Sequence, residues 1–486
     1  MTSEKTIDEH ARLTLARLRR AGESWGKLPA TERARRLREA ARQMLSQADE
    51  LARLVTRETH KPLAESYASE VLGVADLFAY WCKHGPAMLE PRKGLVPQLD
   101  MPGKKARVER QPRGVVALIT PWNYPVAIPM RTIVPALLAG NTVALKPSEH
   151  TPECGRWLVN KLRASLGPVI DIVEGAGEAG AALVEAGPDM VVFTGSTRTG
   201  RKVAVASAAQ GIPCECELGG KDCAVVLADA QIDRAAAGIA WGILTNAGQN
   251  CAGIERVAVH RRVAEPFTRA LVAQLQRAAA DVPHLVTDAQ RRQVIAHIQA
   301  AIDAGAKVLT GGLPADDDTP IAPTLMSEVP TDCAAWTDET FGPTAVLAIG
   351  DDDQHLLKLA NDTSFGLGAS VWSKNIARAE SLASQINSGM VWVNNHAFTG
   401  ALPDLPWVGI SESGTGVTNS PDALHHFTRP RLVVVDTQSA LEPWWYPYGD
   451  RMLDLMKAAV ERQRSGGIFN TVQALRALRS RAAEQK

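Results

Sequence analysis

Val115-Val116-Ala117-Leu118-Ile119 is an unbroken apolar run that leads into Pro121-Trp122-Asn123 and then a helix-like segment. The same order returns at Thr142-Val143-Ala144-Leu145, before Lys146-Pro147-Ser148-Glu149, and at Val191-Val192-Phe193, before Thr194-Gly195-Ser196. Short apolar runs alternating with helices imply a parallel sheet covered on both faces. Ligands of such sheets bind beyond the carboxyl ends of the strands, where these Pro-, Gly- and Ser-containing stretches fall. A second alternating block spans roughly 221–425, with strands expected at 224–227, 256–259, 344–347 and 391–393. Upstream, Leu37, Ala41, Met44, Leu51, Leu54 and Val55 recur near helical spacing, so 30–85 reads as helices. The alternating, proline-punctuated stretch 94–113 reads as an extended ribbon, and the β-branched run 431–435 can pair with it.

A chain of 486 residues exceeds what one core usually supports, so two or three domains are expected. Its 45% hydrophobic and 22% charged content is that of a soluble globular enzyme. The 53 basic residues are matched by 53 acidic ones, which argues against nucleic acid as a main partner. Seven cysteines without a Cys-x-x-Cys pair fit a reducing compartment rather than a disulfide framework. Cys214-x-Cys216 is too close for a common zinc arrangement, and no metal is expected. The first twenty residues mix Glu4, Asp8 and Glu9 with basic residues and have no apolar centre, unlike a signal peptide. With no apolar run long enough to span a membrane, the expectation is a cytoplasmic protein.

Cys251 lies in Gly248-Gln249-Asn250-Cys251-Ala252-Gly253, 34 residues after Glu217 of Glu217-Leu218-Gly219-Gly220-Lys221. A thiolate can add to a carbonyl, and a carboxylate can then activate water to release the product. Read alone, the cysteine is equally a packed core thiol, and the glutamate the end of a strand. The order Pro121-Trp122-Asn123, Lys146-Pro147-Ser148-Glu149, Phe193-Thr194-Gly195-Ser196, Glu217-Leu218-Gly219-Gly220, Gly248-Gln249-Asn250-Cys251, Glu339-Thr340-Phe341-Gly342-Pro343 resembles the aldehyde dehydrogenase superfamily. The resemblance runs from about Trp25 to about Asp436.

It implies an α/β fold: a parallel-sheet dinucleotide-binding domain, an α/β catalytic domain and a small β oligomerisation ribbon. The boundaries expected are 1–93 and 114–219 for NAD binding, 220–425 for catalysis, 94–113 and 426–437 for the ribbon. An aromatic, basic helical extension covers 438–486. A homodimer or homotetramer acting on a small-molecule aldehyde is implied. So are Cys251 as nucleophile, Glu217 as the base that activates water, and Asn123 with the Cys251 N–H as an oxyanion hole. Relatives that pass the acyl group to coenzyme A generally lack this glutamate, so its presence points to the non-acylating branch and an acid product.

For the cofactor, the resemblance implies contacts from Pro121, Trp122, Lys146, Glu149, Gly177, Gly195, Ser196, Leu218, Glu339 and Phe341. Gly195-Ser196 follows a strand and opens a helix, where backbone amides suit a diphosphate; the plainer reading is a serine N-cap. Gly175-Ala176-Gly177-Glu178-Ala179-Gly180 matches the dinucleotide pattern but lacks its acidic partner. Lys146 and Glu149 would hold ribose hydroxyls, and an acid there repels a 2′-phosphate, so NAD is preferred with NADP as the alternative. Two other functions remain: a cofactor-independent thiol esterase or acyl transferase, and a non-catalytic structural protein on the same fold.

Two stretches depart from the family. Trp407, Val408 and Ile410 stand where relatives carry Phe-Gly and Lys beside the substrate entrance. No cluster of arginines suggests a substrate carboxylate. Beyond the late strand, Glu442-Pro443-Trp444-Trp445-Tyr446-Pro447-Tyr448 precedes two helix-like segments rich in Lys and Arg. Such a tail can bind a membrane surface or pack on a neighbouring subunit, and packing is the preferred expectation.

Overall fold

The computed structural model describes residues 2–98 and 101–485. They form two compact units, Met1–Glu90 with Arg110–Pro430, and Pro91–Glu109 with Arg431–Lys486.

The first unit is α/β and holds two large sheets. One has five strands in the order Ile170–Ile172, Thr142–Lys146, Val115–Ile119, Met190–Thr194, Cys214–Glu217, all parallel. Side chains alternate between its faces as the pleat requires. Val116, Leu118, Val143 and Leu145 enter one core with Leu37, Met44, Phe78, Trp81 and Leu137. Val115, Ala117, Ile119 and Ala144 enter another with Leu15, Leu18, Leu183 and Phe193. Each of these two central strands is therefore buried at every position because both faces are covered.

The second sheet has seven strands, Lys307–Thr310, Thr324–Ser327, Thr344–Gly350, Ile254–His260, Asp222–Val226, Gly368–Trp372 and Met390–Val393. All neighbours are parallel except Lys307–Thr310, which pairs antiparallel at the edge. That strand is largely exposed and carries no long apolar run, so the pattern that marked its neighbours does not mark it.

In the second unit, Arg92–Gly94, Lys104–Pro112 and Thr428–Asp436 form a three-stranded sheet. Two helices follow, Asp450–Ser465 and Gly467–Glu484. Among the described residues no helix is long and apolar enough to cross a membrane.

Three segments of the first unit are drawn together by one buried ion pair. Lys221, just past Glu217, places Nζ 2.5 Å from Glu255 Oε2 and 3.1 Å from the Thr340 hydroxyl. Glu255 begins the strand after Cys251, and its carboxylate also accepts the Thr340 and Phe341 N–H groups, both at 2.7 Å. Gly220 completes the approach, since a Cβ there would lie 2.3 Å from the Cys251 carbonyl oxygen. Removing one partner strands a buried charge. Glu255→Leu should therefore cost about 3–5 kcal/mol in urea unfolding, and a loss below about 1 kcal/mol would contradict the clamp.

Candidate active site

Cys251 follows a backbone segment that few residues adopt. Asn246, Ala247 and Gly248 have φ of 56°, 54° and 72°, all in the left-handed region. For the two with a Cβ this costs of order 1–3 kcal/mol each. Surrounding hydrogen bonds hold it. Glu65 accepts the Asn246 N–H at 2.6 Å, and Asn246 Nδ2 donates to the carbonyls of Asn123 and Gln249 at 2.9 and 3.0 Å. Gln249 returns a bond to the Asn246 carbonyl at 3.0 Å and accepts the Val286 N–H at 2.9 Å. Gly248 is required here, because a Cβ would sit 2.0 Å from the Gly342 carbonyl oxygen.

Asn123 is 2% exposed and its Nδ2 donates to the Gln249 carbonyl at 3.0 Å. A carboxamide nitrogen carries two N–H donors, so one is left to serve another acceptor. The segment after Asn123 is held by Glu70, whose carboxylate accepts the Val126 and Ala127 N–H groups and pairs with buried Lys61 at 2.6 Å.

The Cys251 thiol is partly exposed, in the wall of a cavity of about 710 Å³. Burial, then the carboxylates of Glu217 and Glu339, push the thiol up to about 12, against the opposing pull of Arg131. Glu217 ends the last strand of the five-stranded sheet and accepts a hydrogen bond from Thr418 Oγ1. Burial pushes its carboxyl up to about 7, opposed by Thr418 and Arg131. Glu339 accepts the Gly220 N–H at 3.0 Å, and burial followed by the nearby Glu255 charge raises it to about 8. His396, whose ring lies 2.7 Å from the Ala252 carbonyl, is lowered to about 4 by burial and so stays neutral, a positioning group rather than a base.

The residues expected around a cofactor lie past the strand ends of the five-stranded sheet or beside them. Lys146 Nζ sits 3.1 Å from Glu149 Oε2, with the lysine buried and the acid half-exposed. Ser196 caps the helix Thr197–Ala209 through the Thr199 N–H at 3.4 Å. Pro121 and Trp122 are partly exposed, and the Trp122 ring meets Phe341 edge to face at 5.6 Å, Phe341 itself having a φ of 57°. Leu218 fills the space beside Gly200. Gly177 opens the helix Gly177–Glu185 with nothing within 4 Å of a Cβ. An ammonium–carboxylate pair at one strand end and a capped helix N-terminus at the next are chemically suited to a ribose and a diphosphate.

Arg131, Thr418 and Glu65 escape sequence reading. Arg131 lies mid-helix in Ala127–Leu138, Thr418 in a two-residue strand, and none of the three falls in a family-like motif. Position relative to a motif was the only available signal, and they had none.

The aldehyde dehydrogenase family model matches residues 3–433. The chain belongs to that family. It is an oxidoreductase acting on aldehydes. It is 36% identical to 4,4'-diapolycopene aldehyde oxidase of Methylomonas sp., covering 89% of this chain and 83% of that one. It is 35% identical to the chloroplastic betaine aldehyde dehydrogenase of Amaranthus hypochondriacus, covering 90% and 91%. Among solved structures it resembles PnpE from Pseudomonas sp. WBC-3, at 33% identity, 89% and 91% coverage and a TM-score of 0.83. PnpE has also been crystallised in complex with nicotinamide adenine dinucleotide, at 33% identity, 88% and 90% coverage and a TM-score of 0.84.

The Glu217 carboxylate raises the Cys251 thiol, so its removal should lower it. At pH 9 Glu217 is ionised, and Glu217→Gln should speed iodoacetamide labelling of Cys251 about three- to tenfold, followed by peptide mass spectrometry. Slower labelling would mean that the carboxylate takes the thiol proton instead.

Proposed function

We propose that this aldehyde dehydrogenase oxidises an apolar aldehyde to its carboxylic acid with NAD, through a thioester on Cys251. The observation that carries the reading is the cysteine in the wall of an apolar cavity, with Asn123 and Glu217 beside it. Cys251 loses its proton to solvent, its sulfur adds to the carbonyl carbon, and the oxygen becomes an alkoxide. The free Asn123 N–H donates to it, a contact worth about 3 kcal/mol in the transition state. Bound dinucleotide supplies the hydride acceptor. Glu217, near neutrality, then removes a proton from water, the hydroxide attacks the thioester carbon, and the Cys251 thiolate leaves.

Lys146 and Glu149 would hold ribose hydroxyls, and the amides around Gly195 and Ser196 the diphosphate. Pro121, Trp122, Leu218, Glu339 and Phe341 would flank the nicotinamide end, and Gly177 the adenine end. Glu149 favours NAD over NADP by repelling a 2′-phosphate. A relative crystallised with nicotinamide adenine dinucleotide supports this choice. The five-stranded sheet would carry the cofactor, the seven-stranded sheet the nucleophile, and the three-stranded sheet subunit pairing.

The cavity favours a hydrocarbon chain over a cation. Leu77, Ile128, Trp241, Leu244, Val282 and Phe398 line it. Lys61 stands over one face of Tyr124 at 3.8 Å and Arg131 over one face of Trp407 at 5.2 Å, and both cations would repel a quaternary ammonium there. Burial raises the Glu65 carboxyl above its ordinary value, opposed by Lys61 and the Asn246 N–H. Of the two curated relatives, this chemistry suits the one named for a polyene aldehyde and not the one named for betaine aldehyde.

A panel of decanal, acetaldehyde, betaine aldehyde and succinate semialdehyde with NAD, followed by nicotinamide fluorescence, tests the reading. Each buried methylene contributes about 0.8 kcal/mol, so decanal should exceed the charged aldehydes at least about tenfold in kcat/KM. Preference for betaine aldehyde would overturn the substrate class, and turnover without NAD would favour the esterase. Where hydrolysis of the thioester limits, kcat should rise with pH through about 7 as Glu217 loses its proton. Glu217→Gln should lower kcat at least about 100-fold and flatten that rise.

A further inference from the structure

The tail folds as a helical hairpin whose apolar residues face outward. Helix Asp450–Ser465 buries only Leu455, and helix Gly467–Glu484 only Ala474 and Arg481. On the first, Leu453, Met456 and Val460 follow helical spacing and are exposed; on the second, Ile468, Val472 and Leu475 do the same. Gly466 and Gly467, both at positive φ, form the turn, and Ile468 and Phe469 stand at its apex, 85% and 80% exposed. Two adjacent large apolar side chains so exposed at a hairpin tip mark an interaction surface.

Arg481 keeps this unit in order. Fully buried, it donates to the carbonyls of Pro443, Trp445 and Pro447 at 3.0, 2.8 and 2.5 Å and pairs with Glu484 at 2.6 Å. The aromatic segment is thereby fixed against the second helix, leaving Trp445, Tyr446 and Tyr448 exposed, with the two tyrosine rings stacked at 4.2 Å.

Charge selects the partner. The hairpin 450–484 holds seven basic residues against four acids, in a chain whose net charge is zero; with buried Arg481 paired to Glu484, Arg451, Lys457, Arg462, Arg464, Arg476 and Arg479 remain against Asp450, Asp454 and Glu461. A second copy meeting this surface about a two-fold axis would set the same basic stretch against itself. An anionic bilayer instead meets the charge with its headgroups and the apolar stripe with its acyl boundary, and interfacial aromatics suit the same depth.

We propose that the hairpin 450–484 seats the protein on anionic phospholipid membranes, with Ile468 and Phe469 inserted and the surrounding arginines at the headgroups. This is independent of the reaction at Cys251.

The test is flotation of the full-length protein with vesicles of phosphatidylcholine alone or mixed with phosphatidylglycerol, beside sedimentation velocity without lipid. Binding is expected to the mixed vesicles, weakening as salt rises. Ile468→Ser/Phe469→Ser should cut the bound fraction at least about fivefold while keeping acetaldehyde turnover and the sedimentation coefficient. Arg476→Glu/Arg479→Glu should do the same through charge alone. Absence of flotation at low salt overturns the proposal, as does equal flotation of the Ile468/Phe469 variant. A variant that changes the assembly mass with no lipid binding by the parent assigns the surface to a second copy.

Discussion

The buried pair between Lys221 and Glu255 is the constraint on which the site depends. Glu217 to Cys251 and Lys221 to Glu255 are separated by the same interval, so the ion pair lies four residues beyond the two chemical groups on each segment. By binding the Thr340 and Phe341 amides as well, Glu255 fixes the turn that carries Glu339 and Phe341. Such a pair contributes little net stability against an apolar substitute, but it fixes which segments meet. Here it brings together the stretches that lead into three neighbouring strands, Asp222–Val226, Ile254–His260 and Thr344–Gly350.

Holding those segments close makes the site electrostatically crowded. Glu217, Glu339 and Cys251 are all raised above their ordinary values, largely by burial, with the charges of Glu217 and Glu339 adding to the rise at Cys251. Such a site favours neutral groups until positive charge or solvent enters. For Glu217 this is useful, because a base near neutrality is half-populated where its conjugate acid is still able to give a proton back. For Cys251 it means that the group is held as a thiol rather than a thiolate. Arg131 opposes this but is turned partly away, donating to the Gly400 carbonyl at 2.8 Å.

Much of the architecture was legible because burial on both faces leaves a mark. Residues 115–119, 143–145 and 191–193 are apolar throughout, and each lies in a strand of the five-stranded sheet. Residues 224–227, 256–259, 344–347 and 391–393 overlap strands of the second sheet. Lys307–Thr310 was not legible, because an exposed antiparallel edge needs no apolar run. Within the site, residues inside motifs could be named, but Arg131, Glu65 and Thr418 could not, since their relevance comes from folding rather than spacing. The left-handed run at Asn246 and Ala247 was equally hidden. Neither residue type demands that conformation, and only the hydrogen bonds from Glu65, Asn123 and Gln249 impose it.

The cavity shows how structural cations can shape selectivity without touching a substrate. Lys61 is needed to neutralise Glu70, which holds the backbone after Asn123, and its ammonium comes to rest over Tyr124. Arg131 reaches the Gly400 carbonyl and in doing so lies over Trp407. One face of Tyr124 and one of Trp407 are thus occupied by charges already committed to the fold. A cationic substrate would have to displace an ion paired elsewhere, whereas a hydrocarbon chain asks only for the exposed edges and the aliphatic wall. The same side chains that hold the backbone after Asn123 and before Cys251 therefore narrow what can reach the thiol.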